Sequence, residues 1–374
     1  MNNLLVGNGI NIQFDKCNYT TQAIILRLLD ELNALDFPRD IIVDKPMLLK
    51  HYIGKLFFYA RNAIDGEFNN STICTAERIA LADFIKRYKE KKKSLRIADI
   101  GFEDYYLIHD LVCHKYGITN PEQYTVREAM KMAYLYSIYN HGKLNLLYKQ
   151  YSNSFKEYLL EFDNIFSTNY DSNIESAIGK NVYHIHGEFN KLSEVYNSNS
   201  FRNQMHDSPL EGISFDSQYN YLHSTAVSTY CGNYKQYQIN QHSLANEALD
   251  KMATAYLRDI AVRKEVDSWE MDNNKLLVNL ADAIKLKSEN PKLRFQEDYP
   301  IKELSEINGK LTILGLSPYN DYHLFNIIDD ADIDECIYYL YSESERDKVK
   351  EIFPKLYSNG RLKFESVQGF WRII

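Results

Sequence analysis

The sequence predicts an α/β fold: a Rossmann-like, doubly wound parallel sheet of about six strands with large helical insertions. Three observations predict it. Short buried runs near residues 3, 164, 183, 313, 337 and 364 read as strands, and helical patterns separate them. Alternating strands and helices imply parallel pairing through right-handed crossovers. Chain-breakers are scarce: 15 Gly and 8 Pro in 374 residues, about half the usual frequency. That scarcity argues against a turn-rich β-sandwich and favours long helices.

Residues 2–6 form the first strand, and Gly7-Asn8-Gly9 follows at once. From about 20 to 150 the pattern is helical. Thr20 or Thr21 can cap a helix carrying Ile24, Ile25, Leu28, Leu29 and Leu32. Further helices are expected over 46–64, 73–93, 103–116 and 125–140. Pro46 suits a first turn, where its missing N–H costs little. Tyr is abundant, 30 residues against 18 Phe and 2 Trp. Its helical spacing (Tyr59, Tyr105, Tyr106, Tyr134, Tyr136, Tyr139) points to core or subunit contacts. Strands are expected at 164–167 and 181–185, and a polar, turn-like stretch follows over 190–233. Helices return at 240–264 and 273–287. The end alternates: strand 311–315, helix 321–328, strand 333–341, helix 343–356 and strand 362–367. One sheet is thus built from both chain ends. The expected partition is a core of 1–19, 160–190 and 305–374, with helical insertions at 20–159 and 191–304.

Composition excludes several classes. No apolar run reaches the ~20 residues of a membrane span, and the first residues have no basic region of a secretory signal. The expected location is cytoplasmic. The five cysteines are dispersed, with no CxxC pair, so a zinc ribbon cannot be built. Lys+Arg total 43 against 51 Asp+Glu, a net charge of −8, so contact with nucleic acid is expected only through a partner. The dense basic stretch from Lys86 to Arg96 reads first as a charged helix end.

Four short motifs carry chemistry, and all fall at expected strand ends. Gly7-Asn8-Gly9-Ile10-Asn11 lets backbone approach a phosphate or ribose, or simply makes a tight strand exit. Thr168-Asn169-Tyr170-Asp171 offers an amide and a carboxylate two residues apart, or a helix-capping turn. In His184-Ile185-His186-Gly187, strand alternation puts both imidazoles on one side, with His186 at the strand's mouth as a general base. A two-His metal site finds no third ligand near in sequence, so no metal is expected. Gly315-Leu316-Ser317, ahead of Asp321, ends a strand and opens a helix whose amides suit a phosphate. Sheets of this kind bind ligands at the carboxyl ends of their strands.

In this order the motifs resemble those of the sirtuin-like superfamily. The closer resemblance is to bacterial sirtuin-like anti-phage defence proteins, AbiH-like proteins and those encoded beside HerA-type ATPases. Sirtuin deacylases also have a four-cysteine zinc module and a Gly-Ile-Pro-Asp-Phe-Arg stretch, both missing here, and Asn11 stands where Ser is usual. The resemblance therefore implies NAD as substrate and NAD+ hydrolysis, not deacylation. It implies Asn169, Asp171 and His186 as catalytic residues. Gly7, Asn8, Gly9, Asn11, Thr168, Gly315, Ser317, Asp321 and Ser342 would hold the dinucleotide. It further implies an abortive-infection effector, regulated as a homo-oligomer or by a HerA-type ATPase partner. The competing expectations are a non-catalytic NAD or ADP-ribose sensor and a nucleic-acid-processing subunit of a HerA-type complex.

Overall fold

The computed structural model describes residues 1–119, 122–206, 208 and 216–374. Its strands are β1 (Asn2–Val6), β2 (Asn164–Ser167), β3 (Tyr183–His184), β4 (Asn308–Leu314), β5 (Asp332–Leu340) and β6 (Leu362–Ser366). They form one sheet in the order β3-β2-β1-β4-β5-β6. Every pairing is parallel. This is the doubly wound Rossmann-like order, with its reversal between β1 and β4.

β1 is central because it can be buried on both faces. Leu4, Leu5 and Val6 are fully buried. Alternation sends Leu5 to one face, against Ile313, Phe325 and Phe353. Leu4 and Val6 go to the other, against Phe155, Leu159 and Phe370. Val6 pairs with Ser167 on one side and with Leu314 on the other. That register ends three strands at one level, so the loops after them emerge side by side.

Long helices separate the strands. Between β1 and β2 lie the helices Thr21–Glu31, Pro46–Ile64, Thr75–Tyr88, Phe102–Tyr116 and Glu122–Tyr139. Thr20 caps the first, accepting from the Ala23 amide at 3.2 Å. This layer has its own core, in which Tyr105, Tyr106 and Tyr134 are fully buried. Part of the tyrosine excess is therefore spent inside the insertion. Between β3 and β4, helices Asn233–Arg258, Ile260–Trp269 and Lys275–Glu289 share a smaller cluster around Leu249, Val266 and Ile284.

Three expected elements differ. The helix expected over 240–264 begins at residue 233 and breaks at Asp259, which caps Ile260–Trp269 through the Ala261 amide at 2.8 Å. The helix expected over 343–356 breaks into Arg346–Ile352 and Pro354–Ser358. Pro354 forces this, since it supplies no N–H and bars its predecessor from helix. The strand expected over 181–185 shrinks to Tyr183–His184 at the sheet edge. Among the described residues, no helix is long and apolar enough to cross a membrane.

The loops after β1 and β4 touch through glycine. The Gly9 amide donates to the Gly315 carbonyl at 2.9 Å. A Cβ on Gly9 would sit 2.6 Å from Gly315 Cα. Gly9→Ala must push these loops apart, so we expect a loss of about 1–3 kcal/mol, the usual cost of overpacking. Urea unfolding of the variant checks it; an unchanged midpoint would mean that the loops do not need this contact.

Candidate functional site

The reversal between β1 and β4 opens a crevice at the carboxyl ends of the strands, where doubly wound sheets take their ligands. A cavity of about 350 Å³ lies there, within the usual size of small-molecule sites. Four strand-end loops feed it. Asn8 follows β1 directly, Asn11 lies in the short helix Gly9–Phe14 after it, and Thr168, Asn169 and Asp171 come from the loop after β2. His186 follows β3, and Asp321 follows β4. A second cavity of about 340 Å³ adjoins, sharing Asp83, Arg87, Tyr319 and Tyr322 with the first and adding Lys86 and Lys348.

The β1 and β2 loops are locked by one buried carboxylate. Asp171 Oδ2 accepts from Asn11 Nδ2 at 2.7 Å. Its Oδ1 accepts from the Asn173 amide at 3.1 Å and from Asn173 Nδ2 at 2.6 Å. Burial pushes the Asp171 pKa up, against the lowering effect of these amides. Asn11 is buried too, and its Oδ1 has no protein partner. An orphaned acceptor on the wall of a polar cavity fits a ligand hydroxyl. Asn169 Nδ2 reaches the Gly7 carbonyl at 3.3 Å, a weak bond that a ligand can replace. Asn8 Nδ2 is already donated to the Tyr19 carbonyl at 2.9 Å. Thr168 Oγ1 lies 3.4 Å from the Val6 carbonyl.

The two neighbouring histidines separate. β3 ends at His184, whose Nδ1 meets the Asn169 carbonyl at 2.9 Å and whose Nε2 meets Glu175 Oε1 at 2.5 Å. Burial would lower its pKa, but Glu175 outweighs burial and raises it to about 8. His184 thus holds the β2 loop as a cation-leaning clamp. His186, past the strand end, turns into the cavity. It is 2 % exposed, and burial holds its pKa well below the ordinary 6.5, so the ring is a neutral base. Its Nε2 lies 3.1 Å from His323 Nε2 and 3.8 Å from Asp321 Oδ1. Burial also lowers His323, to about 3.

Motif reading along the sequence missed three residues. His323 lies two past Asp321 inside an amphipathic helix, Tyr322–Asp330, and reads there as core. Glu103 and Lys235 come one from each insertion and form an ion pair on the cavity wall. Burial would lower the Lys235 pKa, but Glu103 outweighs it and raises it. Burial raises Glu103 to about 7. No local pattern marks such a pair, because its partners are 132 residues apart.

Several expected ligand residues lie elsewhere. Gly7, Gly9 and Gly315 pack loop on loop and do not line the cavity. Ser317 Oγ turns to the Tyr319 amide at 3.4 Å. Ser342 forms a capping box with Glu345 after β5, away from the cavity. Asp321 precedes a helix yet gives it no side-chain cap. In the basic stretch, Arg87 pairs with Asp104, Lys92 with Asp65 and Arg96 with Asp99.

Comparison with protein-family models, with curated proteins and with solved structures returned no match. The Rossmann-like fold agrees with the sirtuin-like expectation and is common to many nucleotide-binding proteins.

Lys235→Met strands the Glu103 carboxylate inside the site. We expect a loss of roughly 3 kcal/mol, the low end for a broken buried pair, because Glu103 keeps some solvent contact. Adding Glu103→Gln should restore much of it. Thermal or urea unfolding of the single and double variants measures the coupling, and strictly additive losses would argue against a mutual pair.

Proposed function

We propose that the chain is an NAD+ glycohydrolase acting in the switch-point cavity. One observation carries the reading: Asn8, Asn11, Thr168, Asn169, Asp171, His186 and Asp321, drawn from four strand ends, line one cavity. The adjoining cavity, with Lys86, Arg87 and Lys348 at its edge and Tyr319 and Tyr322 between, suits the phosphates and base of a second nucleotide half.

The reaction breaks the bond between ribose C1′ and the nicotinamide nitrogen. Nicotinamide leaves neutral with the bonding electron pair, because it departs from a cation. Water adds to C1′ and gives up a proton. His186 supports this as a base, neutral at physiological pH through burial. Asn169 orients the water or a ribose hydroxyl with its amide, and the free Oδ1 of Asn11 accepts from a ribose hydroxyl. Asp171 acts through Asn11 and Asn173 as a positioning residue.

A second reading has its own support. Asp171 and Asn8 are already spent on protein groups, as suits a sensor that binds NAD or ADP-ribose without turnover. From the resemblance, we extend the hydrolase reading to an abortive-infection effector, held in check by self-assembly or by a HerA-type ATPase.

Incubation with NAD+ should release nicotinamide and ADP-ribose. His186→Ala should lower the rate by ~10²–10⁴, the usual worth of a general base, and Asn169→Ala should lower it as well. Binding without release supports the sensor; parent-like rates in both variants end the hydrolase reading.

The pH dependence follows from sign. A depressed His186 pKa keeps the base form present below the ordinary 6.5. In Glu103→Gln, which removes the carboxyl raised to about 7, kcat/KM should therefore stay flat as pH falls from about 7 to about 6, below the range of His184. A drop centred on pH 6.5 would show an ordinary, exposed imidazole instead.

A further inference from the structure

We propose that His186, Asp321 and His323 form a binding site for one divalent first-row transition-metal ion, opening onto the cavity. Each offers one ligand atom, and the three atoms lie within 4.8 Å of one another. The two Nε2 atoms are 3.1 Å apart. Two nitrogens bound to one ion at about 2.0–2.1 Å, at angles between octahedral and tetrahedral, lie roughly 2.9–3.4 Å apart. The spacing is already that of co-ligands.

The carboxylate supplies the independent support. Asp321 stands at the start of a helix, where Asp ordinarily caps. It gives no cap. Its side chain has no hydrogen-bond partner among the described residues; the neutral His186 ring lies 3.8 Å away, and the Lys235 ammonium acts on it only through space. His323 is 1 % exposed, and it presents Nε2 to His186 and the cluster. A single proton between the two rings would satisfy one nitrogen pair and leave the carboxylate idle; an ion uses all three atoms. The nearby Lys235 ammonium is neutralised by Glu103, so it does not bar a cation. Two imidazoles and one carboxylate are the ligand set of open, catalytic-type sites for Zn²⁺, Fe²⁺ or Co²⁺.

The other His-carboxylate cluster, Glu194, His242 and Glu297, differs on this point. Glu194 accepts from the Arg202 and Gln296 amides, and Glu297 accepts from Ser193 and Tyr299. Its carboxylates hold loops together.

An ion at the first cluster would lower the pKa of a coordinated water or ribose hydroxyl. That is the task given above to the His186 ring alone. The inference rests on the hydrolase reading for its substrate, but not for metal uptake.

The test uses the full chain after dialysis against a chelator. Zn²⁺ uptake is followed by calorimetry, and Co²⁺ by its visible d–d absorption. We expect one ion per chain and a Co²⁺ spectrum of four to six N/O ligands. His323→Asn and Asp321→Asn should each weaken Zn²⁺ binding by more than about 100-fold, beyond what loss of an outer-shell partner costs. His242→Asn should leave it unchanged. Circular dichroism confirms that each variant is folded. No uptake by the folded parent chain, or uptake unaltered in folded His323→Asn, overturns the site. NAD+ turnover is read on the same samples. Uptake without turnover keeps the site and ends the hydrolase reading. Full turnover by chelated protein that binds no ion does the reverse.

Discussion

The site depends on the buried Asp171 carboxylate. A carboxylate taken out of water must be compensated by donors, or it is costly. Here the donors are Asn11, from the short helix Gly9–Phe14 after β1, and Asn173, from the helix after the β2 loop. Asn173 in turn donates to the Leu144 carbonyl and accepts from the Tyr148 amide. One charge thus ties two strand-end loops to the last turns of the first insertion. The floor of the cavity takes its shape from that tie, and His184 braces its far side through the Asn169 carbonyl.

The rest of the cavity is built around this floor. The β4 loop closes against the β1 loop through the Gly9–Gly315 contact. The same β4 loop carries Asp321 and His323 to His186, which is 137 residues from His323 in sequence. The insertions complete the wall with Glu103 and Lys235. Neither insertion is an appendage to a finished site, since one contributes the buried Lys235 and the other its partly buried partner Glu103. Burial and one carboxylate, Glu175, then divide the titratable groups. His186 and His323 are held neutral, and His184 is held towards its cation. Such separated environments are how one pocket hosts a base beside fixed charges.

Much of this was legible along the chain. Buried runs such as Leu4-Leu5-Val6 announce central parallel strands, and Thr20 and Pro46 announce helix starts. The four motifs were legible because strand-end loops keep their order along the chain. Other features depend on distance or on local geometry. Nothing near Asp321 says that its side chain will forgo the cap and face an imidazole from another strand. The glycines read as phosphate cradles are needed for loop-on-loop approach, a role that looks the same in sequence. Ser342 sits at a strand end like the others, but β5 lies two strands from β1, and its loop turns into its own capping box. The tyrosine surplus pointed to core or subunit contacts, and Tyr105, Tyr106 and Tyr134 take the first of these roles.

The central claim is that the switch-point cavity is the nucleotide site. Hydrogen–deuterium exchange of the full chain with and without saturating ADP-ribose tests it most directly. Exchange should slow at residues 7–11, 168–173, 185–187 and 315–323, and in the adjoining segments around Lys86, Glu103, Lys235 and Lys348. Protection centred on the helices of 244–289, or no protection at saturating ligand, would contradict it.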